Sequence, residues 1–181
     1  MEPFERIHRK IKGTGRSDID KELEGFSRIG WGFDRTVYRI ETGKYGEEYK
    51  GKVIKFGSSS KDARTANRKE METWMALEKD PSLREHFCPI RDRGKDFKWI
   101  IMDYAQPVKS FVSRMKSRRK QKMIKNRIEG VEEYLDLKHE NLGYHEDRGV
   151  VFIDYPWGGD FLTKETDKTL RNLIKRLQNI K

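Results

Sequence analysis

The residues with the most chemical content lie in one segment, Tyr134 to Gly158, reading YLDLKHENLGYHEDRGVVFIDYPWG. Asp136 and Asn141 stand five residues apart on a polar stretch. Asp154 follows Asn141 by thirteen, at the end of the apolar run Val150-Val151-Phe152-Ile153. Three groups at these spacings meet the needs of phosphoryl transfer from a nucleotide. One positions an acceptor hydroxyl, while an amide oxygen and a carboxylate hold Mg²⁺ on the phosphates.

Such groups need elements to position them, and the chain reads as α+β. Phe4 to Lys12 is a basic segment with the look of a short helix, ending at Gly13-Thr14-Gly15. Ser17-Asp18-Ile19-Asp20 reads as a helix start. From Phe26 to Phe56 the pattern is β-like: Phe26-Ser27-Arg28-Ile29, then the alternating Thr36-Val37-Tyr38-Arg39-Ile40. A turn at Glu41-Thr42-Gly43 and a third strand over Gly51 to Phe56 complete it. A helix is predicted from about Lys61 to Glu78, stopped before Pro81. Phe97-Lys98-Trp99-Ile100-Ile101-Met102 is an apolar strand ending at Asp103-Tyr104-Ala105. A long basic helix over Ser110 to Leu135 leads to the polar stretch and two short strands. Leu170, Leu173, Ile174 and Leu177 mark a final amphipathic helix.

Three features upstream of Tyr134 fit phosphate chemistry. Gly30-Trp31-Gly32-Phe33-Asp34-Arg35-Thr36-Val37 lies between two strands, and its glycines would let backbone N–H groups approach phosphate oxygens. An ordinary hairpin explains that segment about as well. Lys55, after Val53-Ile54, closes the third strand; it is a good point charge for phosphates, or a side chain snorkelling from a strand edge. The following helix offers Glu70 and Glu72. Glu70 shares a face with Thr73, Trp74 and Leu77, whereas Glu72 shares one with Met75, Ala76 and Lys79, so Glu70 is the better partner for Lys55.

Composition bounds the rest. At 181 residues, 34% hydrophobic and 39% charged, the chain forms one compact unit or two small lobes around a cleft. Aromatics at 11% argue against wholesale disorder. A net charge of +10 favours polyanionic partners such as nucleotide, nucleic acid or phosphorylated protein. Cys88 is the sole cysteine, which excludes an internal disulfide framework and a multi-cysteine zinc site. His8, His86, His139 and His145 lack zinc-protease spacing and read as surface or structural residues. No apolar stretch reaches membrane-span length, and the Met1-Glu2 start reads as cytoplasmic.

Taken in order, these residues resemble the eukaryotic-type protein kinase family over roughly residues 26 to 160. Val53-Ile54-Lys55 looks like the strand-three lysine motif. Trp99 to Ala105 is similar to strand five and the hinge, with Met102 at the gatekeeper position. Asp136-Leu137-Lys138-His139-Glu140-Asn141 matches the catalytic-loop pattern, and Asp154-Tyr155-Pro156 stands where Asp-Phe-Gly is usual. The resemblance implies ATP and Mg²⁺ as cofactors and a minimal bilobal fold. That fold would have an N-terminal extension (1–25), an antiparallel-sheet N-lobe with one helix and the hinge (26–105), and a reduced helical C-lobe (106–181). It also implies roles. Gly30 and Gly32 would cover the triphosphate, and Lys55, held by Glu70, would meet its α- and β-oxygens. Ile29, Val37 and Val53 would sandwich adenine, with backbone bonds from Asp103 and Ala105. Asp136 would orient the acceptor hydroxyl, Lys138 would neutralise the moving phosphoryl group, and Asn141 and Asp154 would hold the metal. Lys138 tilts the resemblance toward protein kinases, because small-molecule kinases of the aminoglycoside type usually carry His there.

Departures from the pattern qualify it. Arg35 occupies the third-glycine position, and Tyr134-Leu135 replaces the His-Arg pair before the aspartate. Gly143 stands where a bulky adenine floor is usual, leaving Phe152, Ile153 or Tyr144 to fill it. Pro156 should hold Asp154 in one orientation. Between Asp154 and Lys181 there is room for a short loop and one helix, not for the usual peptide platform. A compact member of the superfamily, of the kind encoded by viruses and mobile elements, is therefore expected. A catalytically silent pseudokinase, or a basic module binding nucleic acid or a protein partner, is the alternative. The cationic stretch Arg114 to Arg127 reads first as a solvated helix face and second as a polyanion contact.

Overall fold

Period-two alternation builds the first layer of the protein. A computed structural model describes residues 3–13, 23–31, 35–57, 61–77, 81–107, 118, 119, 122, 126 and 141–154. The fold is α+β, with two antiparallel sheets and few helices among these residues. The chain divides into two compact units, Met1–Arg68 with Ile90–Tyr104, and Lys69–Pro89 with Ala105–Lys181.

The first unit is a five-stranded sheet in the order β1-β2-β3-β5-β4. Its strands are β1 (Phe26–Trp31), β2 (Arg35–Ile40), β3 (Val53–Gly57), β4 (Ile90–Arg93) and β5 (Trp99–Met102). Tyr38, Ile40, Ile54, Phe56, Trp99 and Ile101 alternate onto one face, where Phe4 and Ile7 of helix α1 (Pro3–Gly13) complete the core. Burying such side chains stabilises by about 1.5–3 kcal/mol each. Phe4 sits at the centre, its ring 5.1 Å from Trp99 and 5.4 Å from Tyr49. Two polar contacts fasten α1: Lys98 Nζ reaches Glu5 Oε2 at 3.2 Å, and His8 Nε2 donates to the Gly57 carbonyl at 3.0 Å. A carbonyl can only accept, so Nε2 carries the proton.

Helix α2 (Lys61–Leu77) follows β3 as expected, and the division between units falls within it, after Arg68. In the second unit, Pro81 does more than stop a helix. It opens the short helix α3 (Pro81–Arg84), where its missing N–H costs nothing. The sheet of this unit has the order β6-β7-β8, from β6 (Gln106–Pro107), β7 (Leu142–His145) and β8 (Gly149–Phe152). Phe87 runs parallel beside Phe152, with Phe152 N–H donating to His86 O and Cys88 N–H to Phe152 O, both at 2.9 Å. The outer edge of β8 is therefore paired at its last residue, Phe152. Trp74 of α2 lies under the Arg84 guanidinium at 4.0 Å, and Arg148 Nη1 donates to Arg84 O at 3.2 Å.

Several local expectations are corrected. The fifth strand begins at Trp99, not Phe97, because Lys95–Phe97 forms a 3-10 turn in which Asp96 (φ 55°) and Phe97 (φ 56°) are left-handed. The turn after β2 runs through two 3-10 turns, Gly43–Tyr45 and Glu47–Tyr49, so β3 starts at Val53. Strands β4 and β6 were not anticipated. Ser17 to Asp20, the helix at Leu170 to Leu177, and most of Ser110 to Leu135 lie outside the described residues.

Candidate functional site

The face of the five-stranded sheet opposite α1 carries the candidate residues of the first unit. Cross-strand partners share a face, and the register aligns Gly30 with Val37, Val37 with Lys55, and Lys55 with Ile100. The neighbouring row runs through Arg39, Val53, Met102 and Ile90. Lys55 thus lies in the middle of β3 rather than closing it, on the central strand, and only 4% exposed. Snorkelling from an edge is not open to it.

The glycine segment also differs from the sequence reading. Gly30 and Trp31 belong to β1 and pair with Val37 and Thr36, so only residues 32–34, Gly32 among them, separate the strands. A Cβ built at Gly30 would meet only Val37, at an ordinary 3.7 Å. The protein itself places no demand for glycine there. Ile29 is the extra residue of a bulge between Arg28 and Gly30 and is 43% exposed. The cross-strand rows therefore do not include it, and bulges commonly re-aim a side chain in this way.

Asn67 of α2 was missed by the sequence reading. Fully buried, its Nδ2 donates to Phe97 O at 3.0 Å and Lys55 O at 3.4 Å, while its Oδ1 accepts from Arg35 Nη1 at 3.5 Å. One amide thus ties the helix to the lysine-bearing strand, the β4–β5 link and the start of β2. The available signal is an asparagine three residues before Glu70 on the same helix face.

At the end of β5, Met102 is buried, and the Asp103 carboxylate binds cations of two other segments. Arg91 donates from Nε at 2.9 Å and Nη2 at 2.6 Å, and Lys52 Nζ lies at 3.0 Å. Burial pushes this carboxyl up, but the hydrogen bonds from Arg91 and Lys52, with their charges, outweigh it and hold the pKa at about 2. The side chain is thereby committed to the fold, leaving the backbone for any ligand.

In the second unit, α2 buries Glu70 completely, along with Thr73, Trp74 and Leu77, whereas Met75 is exposed. The periodicity that separated Glu70 from Glu72 is visible in this pattern, although Ala76, grouped with the more exposed face, is buried. Strands β7 and β8 pair Leu142 with Phe152, and one further bond, Ile153 N–H to Asn141 O at 2.8 Å, extends the ladder. Asn141 and Asp154, thirteen residues apart in sequence, therefore come to the same end of one hairpin. An amide and a carboxylate are hard oxygen donors suited to Mg²⁺, which usually takes one or two carboxylates with phosphate oxygens and water. Among the described residues no cluster of three or more His, Cys, Asp or Glu side chains forms a larger metal cage.

Gly143 on β7 is dictated by close packing. A Cβ there would lie 2.8 Å from Ala105 Cβ, 2.9 Å from Ala105 O and 2.9 Å from Ile153 Cγ2. Of the three residues offered as an adenine floor, Ile153 is the one beside Gly143 and Ala105. Tyr144 is 58% exposed, and Phe152 packs on the Phe87 ring at 5.6 Å.

His8, His86 and His145 are buried, and His145 Nδ1 accepts the Asp147 N–H at 3.2 Å. Arg118, Arg119, Lys122 and Asn126 are helical and exposed. Asp136, Lys138 and His139 lie outside the described residues. No helix among the described residues is long and apolar enough to cross a membrane. No protein-family model matches the chain, and no curated protein matches it.

Proposed function

We propose that this chain is a cytoplasmic, ATP- and Mg²⁺-dependent phosphotransferase with a minimal, bilobal protein-kinase-like fold, whose acceptor is a protein hydroxyl (its own included) or a small alcohol. One observation carries the proposal. Gly30, Val37, Val53, Lys55 and Met102 share the sheet face opposite α1, with a buried lysine at the centre of the third strand. A lysine on the third strand is where protein kinases hold the nucleotide phosphates, and a carboxylate on the following helix is its usual partner.

In this reading Glu70 holds Lys55 against the α- and β-phosphates, and the Val37–Val53 face meets the base beside Met102 and the Asp103 and Ala105 backbone. Asn141 and Asp154 carry Mg²⁺, Asp136 orients the acceptor hydroxyl, and Lys138 neutralises the transferred group. A nucleotide-binding protein without catalysis is the second reading, favoured by Arg35 at a position where kinases carry glycine. Incubation with γ-labelled ATP, Mg²⁺ and a generic basic protein distinguishes them. Label transfer that disappears in Asp136→Ala and Asp154→Ala is expected. Mg-dependent ATP binding lost in Asp154→Ala, with no transfer by the unaltered protein, would leave the silent reading standing. Failure to bind any nucleotide would remove both.

A further inference from the structure

The row of β2 and β3 nearest the segment 32–34 pairs Arg35 with Gly57. Arg35 shares its face with Val37 and Lys55 by the period of two, and Gly57 has no side chain, so Arg35 is the sole side chain of these two strands in that row. Arg35 and Lys55 are diagonal neighbours across an antiparallel pair, roughly 7–8 Å apart. Both are cationic donors on one sheet face, so a phosphate lying between them could accept hydrogen bonds from each. Asn67 serves both positions, accepting from the Arg35 guanidinium and donating to the Lys55 carbonyl.

Three successive rows then form an ordered track. The first row is apolar at Val53 and Met102, its β2 member Arg39 lying over the Tyr104 ring at 4.4 Å and 3.8 Å from Glu41; the next bears Lys55, and the last bears Arg35. Each step is two residues of strand, roughly 7 Å, a spacing comparable with the run of a triphosphate away from its nucleoside. We infer that Arg35 is a specificity-determining residue that, beside Lys55, receives the terminal phosphate and makes the site selective for nucleoside triphosphate over diphosphate. The inference rests on the nucleotide-binding reading above. A planar guanidinium donates in pairs to phosphate oxygens, whereas a glycine offers a single backbone N–H.

Calorimetric titration of ATP and ADP with Mg²⁺ into the unaltered protein, Arg35→Ala, Arg35→Gln and Arg35→Lys tests this. The unaltered protein should prefer ATP. Arg35→Ala should weaken ATP by about tenfold or more, as expected for loss of a charge-assisted hydrogen bond, while ADP changes by less than about twofold. Arg35→Gln, which keeps reach and removes charge, should match Arg35→Ala and stands in for it should the alanine variant not fold. Arg35→Lys should retain part of the preference. Equal losses for ATP and ADP, or no change in either, would overturn the inference and leave nucleotide binding intact. Absence of nucleotide binding by the unaltered protein would defeat both.

Discussion

The Asp103 carboxylate takes hydrogen bonds from Arg91 and Lys52, and its pKa stands at about 2 against an ordinary 3.8. A folded-state value below the unfolded one contributes stability above the ordinary carboxylate range, and that contribution disappears as pH falls toward 2. The shift corresponds to about 2 kcal/mol at neutral pH, less whatever solvent screening takes at the half-exposed Arg91. Asp103→Asn should therefore lower the urea-unfolding free energy by up to that amount at pH 7. The gap between variant and parent should close as pH approaches 2; a gap constant with pH would show that the ionised clamp is not its source. Gly30 permits the opposite experiment. With space for a Cβ and a strand setting, Gly30→Ala should leave thermal stability unchanged or slightly raised. Nucleotide affinity should nevertheless fall, because the added methyl enters the face on which the phosphates are proposed to lie. A variant that binds ATP as well as the parent would show that no ligand approaches position 30 closely.

Among elements, those with strong periodicity were legible in the sequence. Helix α2 shows its apolar stripe, β2 alternates, and β8 is a short apolar run, and these elements carry Glu70, Val37 and the approach to Asp154. Strand β4 was hidden because Ile90-Arg91-Asp92-Arg93 is an edge strand with one buried residue, and its charges serve neighbouring segments. Strand β6 has two exposed residues and no pattern to read; it exists because β7 offers an edge to pair. Asn67 escaped for a different reason. Its importance comes from three hydrogen bonds to segments distant in sequence, which no local pattern encodes. Gly143 was recognised as an anomaly, but its cause, the approach of Ala105, is tertiary. Gly143→Val should cost about 1–3 kcal/mol in chemical denaturation, because one opposing atom is the Ala105 backbone oxygen and cannot swing aside. An unchanged unfolding midpoint would mean that β7 and Ala105 can separate freely.

For the whole molecule, 40 basic against 30 acidic residues give a net charge of +10, which would favour phosphate-bearing ligands over cationic ones. Arg118, Arg119 and Lys122 are exposed on a helix and read as a solvated face. Reversing all three to glutamate should change folding stability by less than about 0.5 kcal/mol per site and leave ATP affinity at physiological salt unaltered. A marked loss of ATP affinity would instead give that helix a part in nucleotide capture. Single-stranded RNA titrated across a salt series provides the parallel measurement. Sequence-independent binding that weakens linearly on a log–log plot, with a slope reduced in the triple-glutamate variant, would identify the helix as a polyanion contact.

The two faces of the five-stranded sheet have a consequence for how the protein tolerates change. Along β2, β3 and β5, every second residue packs against α1, and the residues between them face the other way. On β3 and β5 both sets are buried, so substitutions there should lose folded protein at every position. On β2 the alternate, half-buried positions Arg35 and Val37 should instead tolerate change and, if the proposed nucleotide site holds, lose ligand while the protein accumulates normally. Selection on binding could then revise Val37 or Arg35 one at a time without eroding the core one residue away.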